Sequence, residues 1–339
     1  MLDTPAQRNA GPLLVTIGAG LFACTNAAST ALYRRGTTPI TVYLTRSVVV
    51  YLANGLLVAL NENRAAAVDV LLLRTGSNAT TRMVSFRGLC TSTMALGLSI
   101  SFCWLTFADA FTVFKGIAIL TTILITRGLS REERLSLREL ACGAITLVGV
   151  ALIAQPPMLG FAGIAETVSA HVGAGLVVAV LSGGLSACTG VLTRLLSQAG
   201  EVHVPPALLL SCLMCAMFVF FSAVALIGRV TGLARLDGWE WAQVVPLDGL
   251  VDWALMGLHC AFTLSAQLAT ASGYATTRAG IAAFLQLTEI AWVYVLGVAA
   301  LRESTSLLAT IGTAVVFAGA VAAVQHDRAA AKPGGGALK

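Results

Sequence analysis

The chain has 339 residues, of which 57% are hydrophobic and 11% charged, whereas ordinary soluble proteins carry about 25% charged residues. A mean hydropathy of +0.85 excludes a single soluble domain, because such a domain must surround its core with polar groups. The net charge of +5 comes from basic residues scattered between apolar stretches, so nucleic acid is not an expected partner.

Ten apolar stretches follow one another along the chain. A hydrocarbon core about 30 Å thick is crossed by roughly twenty helical residues, and each stretch has about that length. The predicted spans are 12–33, 39–60, 83–107, 109–127, 136–155, 170–195, 205–228, 250–273, 279–301 and 304–325. We therefore predict an all-α transmembrane protein, a bundle of ten helices.

The predicted spans divide into two halves of five helices. Residues 1–11 form a polar N-terminal segment, residues 12–155 contain the first five helices, and residues 170–326 contain the second five. Residues 156–169 are predicted to be the loop that connects the halves. Residues 327–339 include Pro-Gly-Gly-Gly and are predicted to be a disordered tail.

The distribution of Lys and Arg predicts how the helices are oriented. If the loops alternate between two sides, one side holds most of these residues: Arg8, Arg64, Arg74, Arg82, Arg87, Arg127, Arg131, Arg134, Arg138, Arg194, Arg278, Arg328, Lys332 and Lys339. Loops rich in Lys and Arg face the cytosol, so both termini are expected to be cytoplasmic. The longest loop, Asn61–Arg82, lies on that side and contains the glycosylation sequon Asn78-Ala79-Thr80. Which membrane the protein occupies, plasma or internal, is left open.

An internal repeat relates the last helix of each half. Residues 131–155 align with residues 301–325, so that Glu133 matches Glu303 and Gly149 matches Gly319. Because each half has an odd number of helices, the two copies must cross the membrane in opposite directions. This pattern predicts two inverted five-helix repeats with a binding site near the midplane between them. Chance similarity between two Gly- and Ala-rich helices is the alternative.

Three charged residues stand out because they lie deep inside predicted spans: Arg46, Lys115 and Glu289. A charge at the centre of a membrane helix costs about 2.5 to 3.5 kcal/mol on insertion scales, so each is a functional candidate. Arg46 and Lys115 lie about 10 Å from the outer face, and Glu289 lies about 15 Å from the inner face.

Two cations and one carboxylate predict a cavity with residual positive charge, suited to an anionic substrate. Glu289 is also a candidate for binding a coupling proton, since desolvation favours the protonated carboxyl group. A structural alternative is an ion pair between Glu289 and Arg46 or Lys115 that only fixes helix packing. Arg46 can instead extend to the outer interface.

Polar residues within or at the ends of spans are secondary candidates for substrate contact. They are Asn26, Gln267, Tyr274 and Gln286. Hydrogen bonding between helices explains such residues at least as often as substrate binding. Asn54 belongs to the same class, and a packing role is favoured for His259, a lone histidine among apolar neighbours.

Sequence motifs for catalysis are lacking. The chain has no HExxH, GxSxG or Walker sequence and no paired metal-ligand spacing, so an enzyme, a cofactor or a bound metal is not expected. The eight cysteines fall in or beside apolar stretches, which predicts packing and not a disulfide framework.

Four segments resemble the drug/metabolite transporter superfamily: SFRGL at 85–89, LTFADAFTVFKG at 105–116, LVGVALIAQPPMLGF at 147–161 and TTRAGIAAFLQLTEIAW at 276–292. In particular, the chain resembles EamA-domain proteins of the solute carrier 35 type, and within them the G-type subgroup. The Thr-Arg-Ser sequence at 45–47 contains an arginine-serine pair that is often found in the second helix of that superfamily.

This resemblance covers about 300 residues and implies a ten-helix, five-plus-five inverted repeat with cytosolic termini and alternating access around a central cavity. It also implies substrates such as nucleotide sugars, organic anions or drug-like metabolites. Helix four departs from the family, because it has no proline near Lys115. Phosphate-translocating and nucleotide-sugar relatives often have a lysine in this helix, which favours an anionic substrate.

The expected function is secondary transport of a small polar metabolite, anionic in charge. One alternative is a proton-coupled exporter of neutral or cationic compounds, in which Glu289 dominates. Another is a membrane scaffold without transport activity. The expected partners are the lipid bilayer, the substrate and a proton or counter-substrate; the oligomeric state is open, with a homodimer as one alternative.

Overall fold

A computed structural model describes residues 5–61, 64–74, 78–104, 107–129, 137–154, 170–197, 204–231, 243–277, 279–301 and 307–330. These ranges contain twelve helices and no strand. In chain order the helices are α1 Pro5–Arg34, α2 Pro39–Asn61, α3 Arg64–Leu71, α4 Asn78–Trp104, α5 Phe107–Leu129, α6 Leu137–Ala154, α7 Ala170–Ser197, α8 Pro206–Thr231, α9 Gly249–Thr276, α10 Ala279–Gln286, α11 Thr288–Leu301 and α12 Leu307–Ala330. The described part of the chain is therefore all-helical, as predicted.

Six of these helices, α1, α2, α4, α7, α8 and α9, are long and apolar enough to cross a membrane. Large apolar side chains such as Leu56, Leu60, Val219 and Val230 are exposed on the outside of the bundle. Many polar side chains are buried instead. This reversal of the usual arrangement in soluble proteins fits a multi-pass helical membrane protein.

The predicted span 279–301 is two helices in the structure, α10 and α11, with Leu287 between them. The tighter hydrogen bonds of a turn replace helical ones here, from Leu287 N to Phe284 O and from Ile290 N to Leu287 O. The Thr288 hydroxyl also donates to a carbonyl of the preceding turn. The break places Glu289 in the first turn of α11, where the helix dipole favours a carboxylate.

Several predicted boundaries shift in the same way, because helices extend past the apolar stretches. The predicted polar segment 1–11 is helical from Pro5, and α12 continues to Ala330 through residues predicted to belong to the disordered tail. The predicted loop 61–82 contains the short helix α3 and the start of α4. Residues 1–4, the connecting loop 156–169 and the rest of the tail, 331–339, lie outside the described residues.

Helix α1 packs antiparallel along α9, and glycines allow the close approach. A Cβ atom at Gly18 would overlap the Thr270 hydroxyl, and one at Gly273 would lie 2.7 Å from a methyl carbon of Val15. Helix α4 packs antiparallel along α7 in the same manner. There the Arg87 side chain binds Thr193 and Thr91 lies opposite Thr189.

The remaining large contacts are α5 with α7, α1 with α10 and α11, α2 with α8, and α6 with α12. On α7, a Cβ atom at Gly183 would lie 2.5 Å from the Phe114 carbonyl oxygen. On α6, one at Gly149 would lie 2.8 Å from the Gly312 carbonyl oxygen of α12. Three apolar clusters fill the bundle around a polar centre.

Candidate functional site

The polar centre contains a cavity of about 170 Å³. Residues from nine helices line it, all except α3, α6 and α12. The structure brings together on its wall all the residues considered from the sequence for substrate contact except Asn54: Asn26, Arg46, Lys115, Gln267, Tyr274, Gln286 and Glu289. These residues come from six helices spread along the chain, so only the tertiary packing joins them.

Glu289 and Lys115 form a buried ion pair across the cavity wall. Lys115 Nζ on α5 lies 2.5 Å from Glu289 Oε2 on α11. The other carboxylate oxygen, Oε1, accepts a hydrogen bond of 2.9 Å from the Asn26 amide on α1. Glu289 is 4% exposed and Lys115 is 8% exposed. The carboxylate therefore ties three helices together and neutralises the lysine.

Two phenylalanine rings surround the lysine end of this pair. Lys115 Nζ lies 5.4 Å from the Phe111 ring centroid and 5.5 Å from that of Phe114. Both rings belong to a buried apolar cluster that also includes Phe284 and Leu287 at the α10–α11 break. The apolar surroundings strengthen the attraction between the two charges, because they lower the local dielectric constant.

Arg46 on α2 has a different environment. Its guanidinium carbon lies 4.5 Å above the Tyr43 ring, and Nη2 donates to the Met217 sulfur at 3.2 Å. Its Nε atom is buried and has no hydrogen-bond partner. Within the described residues no carboxylate forms an ion pair with Arg46. The predicted alternative of an ion pair with Glu289 is not formed, since Glu289 pairs with Lys115.

Arg87 is a third cation on the cavity wall, and the sequence analysis counted it with the cytoplasmic loops. It is 4% exposed and lies on α4. Its Nε donates to the Thr193 hydroxyl at 2.7 Å, and Nη1 donates to the Leu209 carbonyl oxygen at 3.4 Å. Arg87 lies deeper in the helix than the predicted span 83–107 implied, because α4 begins at Asn78 and Arg87 is two and a half turns from that end.

Threonine side chains make up much of the remaining polar wall, and the sequence analysis missed them. They are Thr25, Thr91, Thr189, Thr193 and Thr270. Thr25, Thr91, Thr189 and Thr193 donate to the carbonyl four residues earlier in their own helix, which leaves their oxygen lone pairs as acceptors. The spacing of four residues from Arg87 to Thr91, and from Thr189 to Thr193, was the available signal, since it places each pair on one helix face.

Polar contacts close one end of the bundle, where α1 leads into α2. Arg35 forms an ion pair with Asp252 at the start of α9. The Thr38 hydroxyl donates to the Gln243 carbonyl oxygen at 2.5 Å, and the Thr41 hydroxyl donates to that of Val245 at 3.0 Å. These contacts join the first half of the chain to the second at the surface of the bundle.

Other polar residues noted in the sequence take packing positions. Asn54 donates to the Ala207 carbonyl and the Ser211 hydroxyl, both at 2.8 Å, and so joins α2 to α8. His259 is buried with Nδ1 3.1 Å from the Thr25 carbonyl oxygen, which requires Nδ1 to carry the proton. In the described ranges no three His, Cys, Asp or Glu side chains lie close enough to hold a metal ion.

The cavity wall thus carries three cations, Arg46, Arg87 and Lys115, and one carboxylate, Glu289. With all four groups ionised, the described wall has a net charge of +2. The site can attract an anion and bind it through guanidinium and hydroxyl groups.

No family model matches the sequence, and no curated protein matches it. Among solved structures, one described only as the crystal structure of a protein superposes on this chain with a TM-score of 0.69. The match covers 96% of this chain and 99% of that chain, at 17% sequence identity. The same fold therefore occurs in another protein over nearly its whole length.

Proposed function

We propose that this protein is a secondary carrier that moves a compact organic anion across a membrane by alternating access. The observation that carries the proposal is the excess of positive charge on the wall of a central cavity, three cations against one carboxylate. Buried charges are costly in a membrane protein and persist where they serve a substrate or ion pathway. An anionic substrate supplies the missing negative charge.

The volume of the cavity favours a compact substrate. At about 170 Å³ the cavity is smaller than the roughly 300 to 1,000 Å³ typical of sites for drug-sized ligands. A substrate with a few carbon atoms and one or two acidic groups fits this space. The nucleotide sugars named by the family resemblance require a wider state of the cavity.

The pairing of helices supports the inverted-repeat architecture. In two five-helix halves exchanged by a two-fold axis, the first helix of each half packs on the third of the other, as in α1 with α9 and α7 with α4. The first helix of each half also packs on the fourth of the other, as in α7 with α5 and α1 with α10 and α11. The second and fifth helices pair with their counterparts, α2 with α8 and α6 with α12.

We further propose that the carrier has cytosolic termini and is a member of the drug/metabolite transporter superfamily, which the helix pairing and the sequence resemblance support. Rocking of one half against the other opens the cavity to each side in turn. In that arrangement the contacts of Arg35 with Asp252 and of Thr38 and Thr41 with residues 243–245 close the outer side.

The test is uptake of labelled compounds by proteoliposomes. We expect saturable uptake of small carboxylates or organic phosphates, and no uptake of choline or glucose above that of protein-free liposomes. Saturable uptake of choline instead would favour the exporter of cationic compounds. The absence of saturable flux for every compound tested would favour a scaffold without transport activity.

A second observation favours coupling to protons. Glu289 is the only acidic residue on the described cavity wall, and its oxygens bind both Lys115 and Asn26. Protonation removes the ion pair and leaves Lys115 positive, which strengthens anion binding. An inward proton gradient should therefore accelerate uptake in the wild type.

Glu289→Gln tests this coupling, because it keeps the shape and the hydrogen bond to Asn26 but cannot gain a proton. We expect anion uptake by this variant to be insensitive to the proton gradient. A variant with Lys115→Gln and Glu289→Gln together controls for loss of the ion pair alone. Gradient-driven uptake that persists in Glu289→Gln would place the proton site elsewhere.

A further inference from the structure

The three cations on the cavity wall differ in the partners that accept their hydrogen bonds. Lys115 binds a carboxylate, and Arg87 binds a hydroxyl and a carbonyl oxygen. Arg46 binds a thioether sulfur, which is a weak acceptor, and its buried Nε atom has no partner. A buried donor left without an acceptor costs about 1 to 3 kcal/mol, so this position needs an explanation.

The Nε and Nη2 atoms of Arg46 lie on the same edge of its guanidinium group. The Nε–H and one Nη2–H point in the same direction and together can bind both oxygens of one oxyanion. At present Met217 accepts from Nη2, and nothing accepts from Nε. The guanidinium carbon also lies 4.5 Å from the centroid of the Tyr43 ring, which is itself stacked on Phe221. These two donors, referred to below as the fork, are therefore oriented before any ligand binds.

We infer that Arg46 is the anchor for the charged group of the substrate and that this group is a carboxylate. This inference rests on the proposed function. A carboxylate is planar, accepts two parallel hydrogen bonds, and carries one negative charge that a single arginine balances.

A phosphate dianion fits the position less well, because the other two cations of the described cavity wall already have partners of their own. Lys115 is neutralised by Glu289. Arg87 binds α8 at Leu209, whereas Arg46 binds the same helix at Met217. These residues are eight positions apart, which corresponds to about 12 Å along the helix. The apolar neighbours Met217 and Tyr43 also favour a weakly hydrated carboxylate over phosphate.

Arg46→Lys tests the fork, since it keeps the positive charge and removes the bidentate geometry. We expect the KM for uptake of pyruvate or succinate to rise roughly tenfold or more, with a smaller change in kcat. Arg74→Lys is the matched control, because Arg74 is exposed and lies outside the cavity. Inorganic phosphate at the same concentration should compete poorly for pyruvate uptake.

A second pair of variants changes Met217, the present acceptor, and leaves Arg46 intact. Met217→Glu places a carboxylate where the Met217 sulfur now accepts from Arg46, so it should occupy the arginine and abolish pyruvate uptake. Met217→Gln, of similar size but neutral, should impair pyruvate uptake less than Met217→Glu does, because it competes for Arg46 without a negative charge.

The outcomes separate the inference from the proposed function. If wild-type protein shows no saturable uptake of any anion, the proposed function fails. If the wild type transports carboxylates and both Arg46→Lys and Met217→Glu keep an unchanged KM, the anchor lies elsewhere and the inference fails. Stronger competition by phosphate than by carboxylates would also overturn it.

Discussion

The side chains of Lys115 and Glu289 meet at 2.5 Å in the centre of the bundle, although 174 residues separate them in the sequence. Lys115 comes from α5, in the first half of the chain, and Glu289 from α11, in the second. With Asn26 of α1 on the other carboxylate oxygen, the pair links both halves at the cavity wall. Any relative movement of the halves must therefore lengthen or replace these bonds.

Removing one partner of this pair should be more damaging than removing both. Lys115→Met alone and Glu289→Gln alone each leave an unpaired partner, which for a buried charge costs about 3 to 5 kcal/mol at most. The double variant removes both charges, and we expect it to be more stable than Lys115→Met alone. Reversible unfolding of the purified protein in detergent measures this difference as a double-mutant cycle.

Additive effects of the two substitutions would contradict the pairing. Asn26→Ala provides a further check, since it removes a neutral donor from the same carboxylate. Its cost should be smaller than that of Lys115→Met, because an amide contributes less than an ammonium group.

Two adjacent glycines on α7 offer a matched test of helix packing. A Cβ atom at Gly183 would lie 2.5 Å from the Phe114 carbonyl oxygen and 2.9 Å from Ile117 Cβ on α5. A Cβ atom at Gly184 has no atom within 4 Å. We expect Gly183→Ala to destabilise by about 1 to 3 kcal/mol through overpacking, whereas Gly184→Ala should be neutral or stabilising by up to about 1 kcal/mol. Equal melting temperatures for the two variants would argue against the α5–α7 contact.

The Arg35–Asp252 ion pair should control opening at its end of the bundle. Asp252→Arg places two positive charges together and should favour opening there, which we expect to lower the transport rate by trapping one state. Exchanging the charges, with Arg35→Asp and Asp252→Arg together, should restore much of the rate. Uptake by proteoliposomes measures this rescue, and a double variant slower than both single ones would show that the pair has another role.

The sequon at Asn78 tests the proposed orientation. Asn78 is exposed at the start of α4, and cytosolic termini place it on the cytoplasmic side. Expression in a glycosylating eukaryotic cell should give protein whose electrophoretic mobility does not change on treatment with an N-glycosidase. A shift that disappears in Asn78→Gln would reverse the orientation.

The sequence predicted which residues line the cavity better than it predicted which of them contact one another. Charged or amide groups inside an apolar helix are rare enough to be noticed singly, and this criterion found Arg46, Lys115 and Glu289. All three lie on the cavity wall. The criterion missed Arg87, because a residue near a predicted span end is indistinguishable from a loop residue until the start of the helix is known.

The partners of these groups could not be predicted from the sequence. Both Arg46 and Lys115 were equally plausible partners for Glu289, since the predicted depth of each residue is accurate only to about one helical turn. The break at Leu287 decided between them by placing Glu289 at the start of a separate short helix beside α5 and α1. No apolar pattern marks such a break, because the side chains on both sides of it are buried.

Composition and periodicity by themselves determined that this chain is helical and apolar enough for a membrane, since the hydrocarbon solvent requires long apolar stretches with internally bonded backbone. Within those apolar stretches the few charged residues are easy to identify, because each charge is energetically costly in lipid. The tertiary packing alone decided that Glu289 neutralises Lys115, that Arg87 belongs to the wall, and that the Nε atom of Arg46 is left without an acceptor. Such pairings depend on side-chain distances of a few ångströms between helices that are remote in the sequence, and no local pattern encodes those distances.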